Sequence, residues 1–207
     1  VKKKIIKSMP RLSGVLLHIS SLPSPYGIGT MGKEAYRFIR FLHEAGQSYW
    51  QILPLGTTGF ANSPYQNFSI YAGNPYFIDF DLLVEDGLLQ PDAAASLDWG
   101  SDPTKVDYGL IYENKKKVLY WAYEGMLYFK PHQLMAMKDE FVEEQKSWLE
   151  DYATFMVLKE RFSGESWQTW PDQYRLRDPQ TMEDFVEEHE VELDYYYFEQ
   201  FIFHRQW

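Results

Sequence analysis

Two short apolar runs with one amphipathic helix between them set the tightest limit on the fold. Residues 14–19 (GVLLHI) read as a short buried strand. Residues 33–45 put Ala35, Phe38, Ile39 and Leu42 on one helix face, and Gly46 stands where a terminator belongs. Residues 49–53 (YWQIL) supply a second strand. Strand, helix and strand in this order imply parallel strands, as in an α/β barrel or a doubly wound sheet, although two strands close neither.

Beyond Asp81 the pattern turns helical. Residues 106–129 form one candidate helix. A second is marked by Phe141, Trp148, Leu149, Tyr152, Phe155, Met156 and Phe162 at helical spacing, with Gly164 as its terminator. From Thr181 onward Phe185, Val186, Tyr197, Phe198, Phe201 and Ile202 predict another long helix, preceded by Pro171 and Pro179. The acidic clusters at 139–144 and 184–194 read as solvated helix faces.

The second strand breaks at Pro54 into a long loop, GTTGFANSPYQNFSIYAGNPY, over residues 56–76. It combines turn formers with rings, amides and hydroxyls, which suits a binding site better than a linker. A pyranose has an apolar face that stacks on a ring and a rim of hydroxyls that hydrogen-bond, so this mixture points to carbohydrate. Aromatics make up 18% of the chain, and most of them read as core.

Other chemistries find little support. Thirty acidic residues against twenty basic ones give a net charge of -10, which repels nucleic acid and leaves a neutral glucan indifferent. The absence of cysteine excludes disulfides and thiolate sites and fits a cytoplasmic setting. The N-terminal VKKKIIKSMP lacks the apolar run of a signal peptide, and no window is apolar enough for a membrane span, so a soluble chain is expected. Gly27, Gly29 and Gly32 spell G-x-G-x-x-G. Seven residues with two prolines separate them from the strand, however, and no acid ends the second strand, so they read as a turn into the first helix. His18, His43, His132, His189 and His204 show no metal-ligand spacing, G-x-S-x-G is absent, and no acid/base pair can be named.

Five segments resemble the N-terminal part of the 4-α-glucanotransferases, also called amylomaltases or disproportionating enzymes. They are SGVLLHISSLPSPYGIGTMGKEAYRFIRFLHEAG, YWQILPLGTTGFANSPYQNFSIYAGNPYFID, KVDYGLIY, WLEDYATFMVLKERF and the closing FHRQW. The likeness runs in order from Arg11 to Trp207, with SPYQ to GNPY its most specific block, and is weak at 88–102 and 165–194. It implies an α/β fold: the first two strands of a (β/α)8 TIM barrel over residues 1–80, with a sugar-binding loop at 54–76, then a largely α-helical insertion over 81–207. The rest of the barrel is absent.

The resemblance also implies site residues. Tyr65 matches the tyrosine that stacks on the sugar next to the scissile bond, Ser63 a nearby sugar contact, and Gln66 a supporting amide. Phe60 and Tyr112 occupy positions where some members hold a glucan away from the catalytic centre. Members of the family transfer a segment of an α-1,4-glucan to the 4-hydroxyl of an acceptor with retention, using two carboxylates and no cofactor or metal. Those carboxylates follow later strands, so no Asp or Glu here inherits a catalytic role. The expectation is an N-terminal fragment, inactive alone, whose partners are maltooligosaccharides or α-1,4-glucans and which self-associates through uncovered barrel surface. The alternatives are a self-standing glucan-binding module and a plain helical interaction protein.

Overall fold

The computed structural model describes residues 11–58 and 63–207. Strand β1 (Gly14–Leu16) pairs in parallel with β2 (Tyr49–Gln51), with Gly14, Val15 and Leu16 opposite Tyr49, Trp50 and Gln51. The parallel order agrees with the expectation, but both strands are shorter than the apolar runs that announced them. Beyond the ladder the His18 ring takes over: its Nδ1 accepts the Leu53 amide at 3.2 Å, and Ile19–Ser21 winds into a single 3₁₀ turn. Helix α1 (Lys33–Glu44) covers one face of the pair, burying Ala35 and Leu42 and setting Phe38 against the Trp50 ring at 5.0 Å. Ile39, expected on that face, lies at its edge and is half exposed. The opposite face of the sheet is open, with Leu16 and Tyr49 at 59% and 60% exposure.

Helix α2 (Phe80–Glu85) begins at Asp79, whose carboxylate accepts the Leu82 amide at 3.2 Å. Helix α3 (Tyr108–Phe129) begins at Asp107, which caps the amides of Gly109 and Leu110. It ends at Lys130 in the left-handed conformation, and Pro131 leads into α4 (His132–Arg161). The latter starts upstream of the aromatic pattern because Leu134 already faces the core. After the short α5 (Asp172–Arg175) come α6 (Pro179–Glu188), capped by Asp178, and α7 (Glu190–Gln206). The single helix expected from Thr181 onward is therefore two. The break falls at His189, which ends one helix and starts the next with its ring 4.3 Å from that of Phe185. Nor is the acidic cluster preceding Tyr195 wholly solvated: Asp194 accepts the Tyr123 hydroxyl at 3.0 Å and pairs with Lys138, joining α3, α4 and α7.

These three helices meet in a continuous core. Ile111, Val118 and Ala122 of α3, Leu149 and Ala153 of α4, and Phe198 and Ile202 of α7 are all fully enclosed, together with Ile78, Phe80 and Leu83. No helix among the described residues is long and apolar enough to cross a membrane.

Gly125 shows how tightly α3 is seated. Inside a helix, alanine for glycine ordinarily stabilises by about 1 kcal/mol. Here a Cβ would meet the Leu88 carbonyl oxygen at 2.1 Å, a backbone atom that cannot swing aside. Gly125→Ala is expected to reverse the sign and destabilise by about 1–3 kcal/mol, measurable as a lower urea midpoint.

Candidate functional site

The loop after β2 owes its shape to backbone pairing across its base. Gly56 bridges Gly73, Thr58 bridges Asn67, and the Asn74 amide donates to the Leu55 carbonyl at 2.7 Å. The Asn74 side chain accepts the Tyr76 amide, and Pro75–Phe77 forms a single 3₁₀ turn leading to Asp79. The returning arm lies along α4, with Phe68 5.9 Å from Phe155 and Tyr71 stacked on Trp148 at 5.9 Å and 25°.

At the tip, Ser63 organises the turn. Its hydroxyl accepts the Tyr65 amide at 3.4 Å and its carbonyl accepts the Gln66 amide at 3.1 Å. The turn leaves the Tyr65 ring 71% exposed, with Gln66 beside it. Ser63, Tyr65 and Gln66 are thus brought together, and an exposed ring flanked by a hydroxyl and an amide can stack on a sugar face and hydrogen-bond its rim. Phe60 lies outside the described residues. Tyr112 stands apart from the tip: it projects from α3 into a cleft of about 1280 Å³ between the loop, α3, α4 and α7.

The floor of that cleft is polar. Glu199 is buried, and loss of solvent pushes its carboxyl up to about 7, against a lowering by the Tyr195 hydroxyl and Lys116. Desolvation likewise raises the Tyr152 and Tyr195 hydroxyls well above the ordinary phenol value, and takes Tyr76 to about 12. Lys115 is fully enclosed, with its Nζ 4.0 Å from the Phe80 ring centre and donating to the Ile78 carbonyl at 2.8 Å. Burial brings its ammonium down to about 7, against the pull of Asp79. Among the described residues, no cluster of His, Asp and Glu is arranged to hold a metal ion.

Sequence reasoning missed Lys115, Glu199 and Gln200. Lys115 carried a signal, since it stands four residues from both Ile111 and Leu119 inside an apolar stripe. Glu199 and Gln200 are likewise wedged between Phe198 and Phe201.

The sequence profile of the 4-alpha-glucanotransferase family, glycoside hydrolase family 77, matches residues 17–207. The chain is 46% identical over 191 residues to a 4-alpha-glucanotransferase of Clostridium butyricum, covering 92% of this chain and 38% of that protein. It is 44% identical to one of Streptococcus pneumoniae, covering 95% of this chain and 39% of that protein. The solved amylomaltase of Streptococcus agalactiae in complex with acarbose superposes with a TM-score of 0.90 at 41% identity, over 96% of this chain and 40% of that one. The chain thus spans about two fifths of the length of the relatives it matches. A family profile that covers nearly all of the chain, together with this superposition, establishes that it belongs to the 4-alpha-glucanotransferase family.

Proposed function

We propose that this chain is the donor-binding N-terminal part of a 4-α-glucanotransferase, which transfers a segment of an α-1,4-glucan to the 4-hydroxyl of an acceptor glucan or glucose. The observation that carries the reading is the turn at 63–66, where Ser63 accepts the Tyr65 and Gln66 amides and the Tyr65 ring projects into solvent beside Gln66. Tyr65 stacks on the sugar adjoining the scissile bond, and Ser63 and Gln66 bond its hydroxyls. Tyr112, with Phe60, holds a glucan further from the reacting bond.

In this reading β1 and β2 are the first two strands of a (β/α)8 barrel. Residues 1–80 begin the barrel, and 81–207 form the helical insertion. The loop follows the C-terminal end of β2, the side on which barrel enzymes carry their sites. Bond cleavage with retention needs a carboxylate nucleophile and a carboxylic acid that first protonates the leaving oxygen and then deprotonates the acceptor. Neither is assigned here; in this reading both belong to the part of the protein beyond the two fifths of the relatives' length that the chain spans. The 207-residue chain is therefore expected to be inactive alone and to self-associate through the open face carrying Leu16 and Tyr49. A cytoplasmic setting suits the lack of cysteine.

The test is incubation with maltotriose of this chain and of the same reading frame extended to its stop codon, with products separated by chromatography. Glucose and longer maltooligosaccharides are expected from the extended protein only, and Tyr65→Ala in that protein should lower kcat/KM about a hundredfold, equivalent to ~3 kcal/mol. Transfer by the 207-residue chain would refute its inactivity; transfer by neither would refute the assignment.

A further inference from the structure

The terminal helix grips the aromatic loop through two side-chain amides. Gln200, fully buried, accepts the Gly73 amide at 2.8 Å and donates to the Gly73 carbonyl at 3.0 Å. Further along α7, Gln206 does the same to Asp79, accepting its amide at 2.7 Å and donating to its carbonyl at 3.0 Å. Each glutamine stands in for a neighbouring strand, pairing both backbone groups of a residue outside the sheet. Between the two contacts, Phe203 packs so closely that a Cβ on residue 73 would lie 2.0 Å from its ring carbons, so only glycine admits the helix.

The restraint extends beyond the gripped residues. Gly73 is bridged to Gly56 and the Asn74 amide is tied to Leu55, so holding one arm of the loop holds the other. Asp79 carries the restraint onward: its carboxylate caps α2 and accepts the Thr30 hydroxyl at 2.5 Å.

We infer that Gln200 is a positioning residue, which fixes residues 54–58 and 63–76 in the shape that presents Ser63, Tyr65 and Gln66 without itself touching ligand, and that Gln206 secures the exit of the loop at Asp79. The inference rests on the reading of that loop as the sugar site, and its tests separate the two.

Gln200→Glu is the informative variant. A protonated glutamate carries one donor and one acceptor, as the amide does, and reproduces both bonds; an ionised one accepts only and faces the Gly73 carbonyl with a charge. Burial raises the carboxyl above its usual range, so pH 5 favours the protonated form of the variant and pH 8 the ionised one. Hydrogen exchange is read at each pH against the chain that keeps Gln200, both proteins carrying Glu199→Gln so that the neighbouring carboxyl, which the Gln200 side chain contacts, does not titrate. At pH 8, protection at residues 67–77 should fall about tenfold, as expected for loss of 1.4 kcal/mol, while α3 and α4 stay unchanged. At pH 5 it should return to the unaltered level.

Gln206→Ala, at a half-buried position near the helix end, should loosen residues 79–82 alone. Unchanged protection in both variants, or a loss spread evenly over α3 and α4, would overturn the inference. In the frame-extended protein, kcat/KM of Gln200→Glu should be about tenfold low at pH 8 and restored at pH 5, relative to the unaltered protein at the same pH. A loosened loop with unaltered kcat/KM would also overturn it. Failure of the unaltered extended protein to transfer glucan refutes the sugar reading instead, and leaves the exchange result to judge the clamp.

Discussion

Replacing Phe198 with alanine is expected to lower the free energy of unfolding by about 3–5 kcal/mol. The side chain is fully enclosed where α3, α4 and α7 meet, with its ring 5.5 Å from that of Tyr123. Truncation removes most of a buried ring and opens a cavity that Leu149, Ile202 and Ile111, themselves fully buried, cannot readily fill. A domain of this size has about 5–15 kcal/mol in total, so the substitution removes a large share of it. Val191→Ala on the same helix, at 59% exposure, should stay within about 0.5 kcal/mol. Urea titrations of both variants give the comparison, and similar midpoints would contradict the placement of α7 in the core.

Glu199→Gln is expected to make the protein more stable, increasingly so as pH rises. The Glu199 carboxyl titrates at about 7 in the folded chain against an ordinary 4.5, because burial penalises its anion. Below the ordinary value it is protonated in folded and unfolded chains alike and costs nothing. As pH climbs to about 7 the unfolded chain gives up the proton while the folded one retains it, and stability falls by about 3 kcal/mol. Glutamine has no such transition, so its advantage should grow by about 3 kcal/mol between pH 4.5 and pH 8. His18 and His204, both lowered by burial, act in the opposite sense over part of this window, losing stability as pH falls. Lys115, lowered to about 7, gains stability as pH rises from there towards its ordinary 10.5. All three are common to both proteins and cancel in the difference. Parallel pH profiles for the variant and the parent would sink the assignment of a buried, proton-retaining carboxyl.

Both effects centre on α7, the element the sequence described least well. The strand–helix–strand start was legible because Ala35, Phe38 and Leu42 repeat with helical period between two apolar runs, and the parallel pairing of β1 with β2 follows from that order. The start of α3 was legible to within two residues, since the candidate helix was read from Val106, and the structure adds Asp107 as its cap. The division at His189 was not, because the apolar pattern runs on through it and a change in backbone angle leaves no mark in composition. Of the candidate site, the loop stood out by residue type, whereas the turn that Ser63 directs at its tip emerged only from the structure. That Tyr112 belongs instead to a separate cleft floored by Glu199 depends on how three helices cross. The same holds for Gln200 and Gln206, whose amides look like any others until their distant backbone partners are placed opposite them.

The paired glutamine contacts also bear on the order in which the chain acquires its form as it is made. Each links residues 127 positions apart, and α7 follows α1 to α6 in the chain. At ribosomal rates of about 5–20 residues per second, roughly 6–25 s separate synthesis of Gly73 from that of Gln200. Over that interval the nascent loop, with its exposed Tyr65, Ile70 and Tyr71, lacks the helix that holds it. The aromatic loop thus stays unsecured on the ribosome until α7 has been made, and a holdase that shelters aromatic stretches would act there.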